Sequence, residues 1–153
     1  MKHAIDETDR RILQAIQEDA RLPVTELAER VGLSATPCKR RLSALEEAGL
    51  IEGYHARLNR RASGYPITVF VFVELERQEA EAITRFEQHV GRFEEVVGGV
   101  LLTGSQDFML EVAVRDLEDY ERFLQTRLMR MDGIRAVRSR FALRRFIDRA
   151  RLP

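Results

Sequence analysis

The chain has little of three things: it contains one cysteine, three histidines and no long apolar run. A single cysteine excludes an internal disulfide, which fits a reducing cytoplasm. No apolar stretch approaches the roughly 20 residues of a membrane-spanning helix, and the first residues, MKHAIDETDRR, lack the apolar centre of a signal peptide. His3, His55 and His89 lack metal-ligand spacing. We therefore expect a cytoplasmic protein without a metal site or a membrane partner.

The chain also lacks a net charge, since its 25 basic side chains balance its 25 acidic ones. A zero balance would argue against nucleic acid only if the charge were evenly spread. Residues 1–60 carry ten charges of each sign, residues 64–133 seven basic and fourteen acidic, and residues 134–153 seven arginines against Asp148. Cations are clustered at positions 39, 40 and 41 and again at 57, 60 and 61. The overall charge therefore excludes no class of partner.

Residues 33–50, LSATPCKRRLSALEEAGL, predict a helix with two different faces. Ser34 is a suitable N-cap, Pro37 is tolerated in the first turn, and Gly49 suits the position just after a helix. At about 100° per residue, one face is apolar (Cys38, Leu42, Leu45) and the other polar (Thr36, Arg40, Ser43, Glu47). Hydroxyls and guanidinium groups can reach base edges and phosphates in a major groove. An ordinary amphipathic surface helix is the alternative for this segment alone.

The preceding residues predict two further helices, at 5–18 with Asp6 as its cap and at 23–31, followed by a tight turn at Gly32. This is a helix-turn-helix arrangement. Residues 50–59 predict two short β segments, a candidate wing. The first domain is therefore predicted at residues 1–60.

A polar segment at residues 61–66 is predicted as a linker, since it contains Gly64 and Pro66. The second domain, residues 67–153, shows alternating strand and helix patterns. Strands are predicted at 67–75, 96–103, 108–114 and 134–143, and helices at 79–90 and 117–131. The order β-α-β-β-α-β is that of a ferredoxin-like α+β domain.

Two details of the second domain are also predicted. The helix after Asp116 should direct Leu117, Tyr120, Phe123, Leu124 and Leu128 inward. The first strand is apolar on both faces, whereas helices cover only one face of such a sheet. A second subunit should therefore cover the other face, giving a dimer.

Four segments resemble the Lrp/AsnC (leucine-responsive, feast/famine) family of transcription regulators, and the resemblance covers nearly the whole chain. They are residues 6–13 (DETDRRIL), 33–38 (LSATPC), 45–51 (LEEAGLI) and 104–110 (GSQDFML). The resemblance implies a winged or plain helix-turn-helix domain followed by a βαββαβ ligand-sensing (RAM) domain. It also implies dimers that assemble into tetramers or octamers, and an amino acid or related effector bound between subunits. No other cofactor is implied.

The resemblance implies that six residues face double-stranded DNA: Ser34, Thr36, Pro37, Lys39, Arg40 and Ser43. Arg40 is the first choice for a base or phosphate contact, with a solvated surface cation as the alternative. Arg41 lies toward the core side of the helix, so a structural ion pair and a DNA contact are equally expected there. A dimer would present two such helices to a pseudo-palindromic operator.

For the effector, the resemblance indicates Gly104, Ser105, Gln106, Asp107 and Ser139. Asp107 could attract a ligand ammonium group or serve as a turn residue that bonds its own backbone. Gln106 departs from the aromatic or glycine that is commoner at its position, which leaves the effector's identity open.

The sequence leaves open two alternative functions and the role of the C-terminal arginines. Sirohaem decarboxylases are enzymes of the same architecture, but the chain shows no cluster of histidine and arginine, so we expect no catalytic residues. A sensing module that no longer binds DNA is disfavoured by the cationic helix. The C-terminal arginines 144, 145, 149 and 151 could contact phosphate, pair with a neighbouring subunit, or form a solvated charge run.

Overall fold

The computed structural model describes residues 4–147 and 152, and these residues form two units. Residues 4–57 form the first together with 147 and 152, and Leu58–Phe146 forms the second. The predicted boundary lay at residues 61–66, with the C-terminal end in the second domain. In the structure Leu152 groups with the first unit, where its N–H donates to Gln17 Oε1 over 2.7 Å. His3 and the arginines at 149 and 151 lie outside the described residues.

The first unit contains three helices: α1 (Glu7–Glu18), α2 (Val24–Val31) and α3 (Ala35–Glu47). Asp6 caps α1, as predicted, because its Oδ1 accepts from the Asp9 N–H over 2.8 Å. Asp9 Oδ2 accepts in turn from the Asp6 N–H, which completes a capping box. The core between the helices is made of Ile12, Ala15, Leu27, Ala28, Val31, Cys38 and Leu45.

The end of α3 is held by Gly49, which has a φ of 71°. Its N–H donates to the Glu46 carbonyl over 2.9 Å, and the Leu50 N–H donates to the Leu45 carbonyl over 3.0 Å. This pair of bonds is a Schellman motif, and it needs a left-handed residue that glycine adopts at least cost. The predicted helix end is confirmed.

The two short β segments predicted at residues 50–59 do not form. Residues 51–59, all described, contain no strand, and residues 52–59 are exposed. An isolated two-stranded hairpin is marginally stable unless it has an apolar face to bury. Residues 52–59 include no buried apolar side chain.

The second unit is a four-stranded antiparallel sheet in the order β2-β3-β1-β4. Its elements are β1 (Ile67–Leu75), α4 (Ala80–Val90), β2 (Val96–Leu101), β3 (Phe108–Val114), α5 (Leu117–Thr126), a short 3₁₀ helix (Leu128–Arg130) and β4 (Ile134–Phe141). The predicted βαββαβ order and α+β class are confirmed.

Two details of the last helix differ from the prediction. The helix ends at Thr126, and the 3₁₀ helix takes the place of its last turn. Leu117, predicted to point inward, is 60% exposed because it begins the helix directly after the exposed Asp116 cap. Tyr120, Phe123 and Leu128 are buried as predicted.

The two faces of β1 have different surroundings. Val69, Val71 and Val73 are completely buried in the core that α4 and α5 form with the sheet. Phe70 and Phe72, on the opposite face, are half-buried. The Arg140 guanidinium lies 5.0 Å from the Phe72 ring centroid, so the helix-free face combines aromatic and cationic groups.

Candidate DNA-binding surface and effector site

The six residues predicted to face DNA all lie on α3 or at its entrance. Ser34, Thr36, Lys39 and Arg40 are exposed, and Pro37 and Ser43 are half-buried. On the opposite face Cys38 and Leu45 are 0% exposed, so packing fixes which side of the helix meets solvent. In the part of the chain that the structure describes, neither Lys39 nor Arg40 forms an ion pair. Both cations are therefore available to a ligand.

The local contacts of the Ser34 hydroxyl and the Cys38 thiol indicate the role of each group. Ser34 stands at the N-cap, but its hydroxyl makes no capping bond, contrary to the prediction, and its carbonyl alone accepts from the Cys38 N–H over 3.2 Å. The exposed hydroxyl thus has no role in closing the helix. Burial raises the pKa of the Cys38 thiol, which suits a packing residue and not a nucleophile.

Arg41 forms a structural ion pair, one of the two alternatives that the sequence left open. Its Nη1 lies 2.7 Å from Asp6 Oδ2 and 2.8 Å from Asp9 Oδ1. Hydrogen bonds to Asp6 and Asp9 raise the pKa of Arg41. The Asp9 backbone N–H, followed by Arg41, lowers the pKa of Asp6. Arg41 therefore connects α3 to the capping box of α1, a pairing that no local sequence pattern specifies.

The turn between β2 and β3 contains four of the five predicted effector residues. Gly104 has a φ of 120°, Ser105 is exposed and Gln106 is half-buried. Asp107 is only 7% exposed. Its Oδ2 accepts from the Leu75 N–H and its Oδ1 from Gln78 Nε2, each over 2.7 Å. The Asp107 side chain therefore binds the end of β1 and a residue after it, instead of its own turn.

Ser139, the fifth predicted residue, lies on β4 opposite Val71. Its hydroxyl is hydrogen-bonded to the Tyr120 hydroxyl of α5, and burial raises the pKa of Tyr120. The turn and Ser139 thus have different hydrogen-bond partners. The turn and Ser139 each form hydrogen bonds within the subunit, and they do not line a common pocket.

Two cavities open in the second unit, and neither is lined by the five predicted effector residues. One, of about 440 Å³, lies between the end of α4 and strands β2 and β3. The other, of about 430 Å³, lies between α4 and the segment that leads from α5 to β4. Both volumes fall in the range of small-molecule sites, about 300–1,000 Å³.

Of the C-terminal arginines that the structure describes, one forms an ion pair and another is exposed. Arg145 forms an ion pair with Glu111, which Arg60 also approaches to 2.7 Å. Arg145 therefore has a partner inside the second unit, while Arg144 is exposed. Within residues 4–147 and 152, no helix is long and apolar enough to cross a membrane, and no group of three potential ligands could hold a metal.

The helix-turn-helix unit followed by a βαββαβ unit is the two-domain architecture that the sequence resemblance implied. Residues 5–52 match the sequence model of a winged helix-turn-helix DNA-binding domain, and residues 68–152 match that of the Lrp/AsnC ligand binding domain. The chain therefore belongs to the Lrp/AsnC family of transcription regulators, which confirms the resemblance seen in its sequence motifs.

Individual relatives agree with this assignment. The Bkd operon transcriptional regulator of Pseudomonas aeruginosa is 39% identical over 149 residues, 97% of each chain. A solved AsnC family regulator from Agrobacterium tumefaciens has a TM-score of 0.91 at 37% identity and covers 97% of both chains. A solved Neisseria meningitidis regulator in complex with L-Met has a TM-score of 0.92 at 34% identity, covering 98% of this chain and 97% of that one. The relatives are regulators, so the enzyme alternative is excluded.

Proposed function

We propose that this regulator reads a pseudo-palindromic DNA site as a homodimer, with α3 of each subunit in the major groove. The observation that carries the proposal is the exposed side of α3, where Thr36, Lys39 and Arg40 face solvent without ion pairs in the described chain. The buried Cys38 and Leu45 prevent the helix from turning this side inward.

The chemistry of this surface divides into two contributions. Lys39 and the Ser34 hydroxyl suit phosphate contacts, which give affinity and position the helix without reading sequence. Arg40 is centrally placed on the exposed face and can bind a guanine edge through two hydrogen bonds. Affinity should therefore fall with rising salt as counterions compete for the phosphates.

The test uses a duplex selected from a random library by the wild-type protein, with binding followed by fluorescence anisotropy. Arg40→Ala should weaken binding about tenfold or more, consistent with about 1–3 kcal/mol for a base contact. The matched control is Arg10→Ala, which removes an exposed arginine from α1 of the same unit. Equal affinities for Arg40→Ala and the wild type, with folding intact, would reject the assignment of α3.

We also propose that an amino acid is the effector. The support is the solved Neisseria meningitidis regulator with L-Met, whose fold matches nearly the whole chain. We assign effector contacts to the turn residues Gly104, Ser105, Gln106 and Asp107, and to Ser139 on β4. Gly104 has a backbone conformation that other residues rarely adopt, so it can shape the turn around a ligand.

A thermal-shift screen of the twenty amino acids tests this assignment, because a ligand that binds only the native state raises Tm by mass action. Gln106→Ala should remove the shift that the wild type shows and leave the unliganded Tm unchanged. The control is Gln125→Ala, an exposed glutamine on α5. A full shift in Gln106→Ala would place the site elsewhere.

The helix-free face of the sheet is the proposed dimer interface, from which tetramers or octamers could form. Phe70 and Phe72 supply its apolar area. Phe72→Glu should shift the molecular mass in light scattering toward the monomer. Leu117→Glu, at an exposed leucine on α5, is the control and should keep the assembly.

A further inference from the structure

The cavity of about 430 Å³ in the second unit has an apolar floor. The floor is formed by Leu75, Phe86, Phe93 and Met131, which come from β1, α4 and the segments that follow the two helices. Leu75 and Phe86 are buried, and Phe93 and Met131 are half-buried. An apolar floor that is open at one side suits the hydrocarbon part of a small ligand.

The rim of the same cavity is cationic. Arg85, His89, Arg127 and Arg130 line it, and Asp132 is the one acidic residue of the lining. This is unusual for residues 64–133, which hold fourteen acidic and only seven basic side chains. Three of those seven basic residues therefore lie around one opening.

In the described part of the chain these three arginines, like Arg77 and Arg92, form no ion pair with a carboxylate. Arg115 and Arg122 both pair with Asp119, at 2.8 and 3.0 Å. An acidic domain that leaves three guanidinium groups unpaired around an apolar cavity presents a site complementary to an anion.

Arg127 also has a defined position over the floor. Its guanidinium carbon lies 5.8 Å from the centroid of the Phe93 ring. A guanidinium stacked on a ring keeps its N–H donors in its own plane, where they remain free for a carboxylate. The ring contact thus holds the charge at the edge of the apolar floor.

We propose that this cavity binds a small carboxylate with a branched or aromatic apolar body. The carboxylate lies against Arg85, Arg127 and Arg130, and the hydrocarbon lies on Phe86 and Phe93. The site is separate from the turn at residues 104–107 and from α3, so it depends on neither the DNA-binding proposal nor the effector proposal.

The probes share one hydrocarbon and differ only in charge: 4-methylpentanoate, 3-methylbutylamine and 3-methylbutanol. Binding to the full-length protein is followed by two-dimensional NMR of its amides. Only the carboxylate should produce saturable shifts, and these should occur at residues 126–133 and at the end of α4. Shifts of equal size from the amine or the alcohol would refute the anion site, and so would no saturable shift from the carboxylate.

Two variants locate the site. Arg127→Gln combined with Arg130→Gln should weaken 4-methylpentanoate binding by about tenfold or more, since charged hydrogen bonds are replaced by neutral ones. Arg92→Gln is the matched control, because Arg92 is exposed and does not line the cavity. Arg85→Gln, on α4, provides a second test if the double variant folds poorly, and it should weaken binding severalfold.

The arginines could instead serve only to stabilise helix C-termini, where cations are favourable. In that case the variants would lower Tm but bind 4-methylpentanoate as tightly as the wild type. That result would overturn the proposal, as would equal weakening by Arg92→Gln.

Discussion

Arg41 Nη1 lies 2.8 Å from Asp9 Oδ1, and the Asp9 side chain is only 3% exposed. The same nitrogen lies 2.7 Å from Asp6 Oδ2. One cation therefore connects the capping box of α1 to the middle of the helix that we propose reads DNA. A buried carboxylate is costly without charged or hydrogen-bonding partners, and Arg41 supplies one such partner from α3.

Arg41→Met should loosen the first unit, because it removes the ion pair between α3 and the buried Asp9 carboxylate while keeping much of the side-chain volume. Amide hydrogen exchange should become faster in α1 and α3 and stay unchanged in the second unit, and DNA affinity should fall with it. Arg40→Met is the control: it should weaken DNA binding without altering exchange. Unchanged exchange in Arg41→Met would show that the ion pair does not hold the helices together.

Gly49 provides a second test of how α3 is built. Its φ is 71°, and a Cβ added there would have no atom within 4 Å. Any loss of stability on adding a methyl group must therefore come from the backbone conformation. Gly49→Ala should destabilise the first unit by about 1–2 kcal/mol, and Gly49→Asn by less, since asparagine tolerates this region. Urea unfolding followed through the α3 amide signals measures both. Equal stability of alanine and glycine would contradict the Schellman ending.

Tyr54 gives a prediction about pH. Partial desolvation of its hydroxyl, followed by the hydrogen bond from that hydroxyl to Glu46 Oε1 at 2.8 Å, raises the pKa of Tyr54 to about 12. Because the folded pKa lies above the ordinary value of 10.0, the contact stabilises the fold below about pH 10 and is lost as pH rises through 12. Ultraviolet titration of phenolate should therefore lose its component near pH 12 in Tyr54→Phe.

Glu46→Gln is the matched variant for that titration. It keeps an acceptor for the Tyr54 hydroxyl but removes the charge that opposes ionisation, so the pKa of Tyr54 should fall toward its ordinary value. An unchanged titration in Glu46→Gln would mean that partial desolvation alone raises the pKa of Tyr54.

Periodicity predicted most of the fold because each helix and strand buries one regular face. The apolar face of α3 and the alternation in β1 both follow from the spacing of residues along the chain. The β segments predicted after α3 did not form, because a strand needs a pairing partner and a face to bury, and residues 52–59 have no buried side chain. Local sequence could not reveal either property.

The contacts of the site residues were harder to predict than the elements that carry them. Arg41 pairs with residues 32 and 35 positions earlier, and Asp107 binds residues 29 and 32 positions earlier. Such pairs exist only after the elements have packed. Spacing can place a carboxylate in a turn, but it cannot say which N–H the packed chain brings to it.

For Asp107, a structural role at the end of β1 and a role in effector binding can be distinguished by experiment. Its carboxylate satisfies the N–H of Leu75, a residue that is 5% exposed, and it also binds the amide of Gln78. Asp107→Ala should leave that N–H unsatisfied and destabilise the second unit by about 1–3 kcal/mol, while Asp107→Asn keeps an acceptor and should cost less. Gln78→Ala removes only the partner on the exposed side and should have a small effect.

Unfolding of the second unit measures stability, and the amino-acid thermal shift measures ligand response. If Asp107 acts only by closing the end of β1, Asp107→Asn will respond to the effector as the wild type does. Loss of the response in Asp107→Asn with stability intact would instead show that the charge itself meets the ligand.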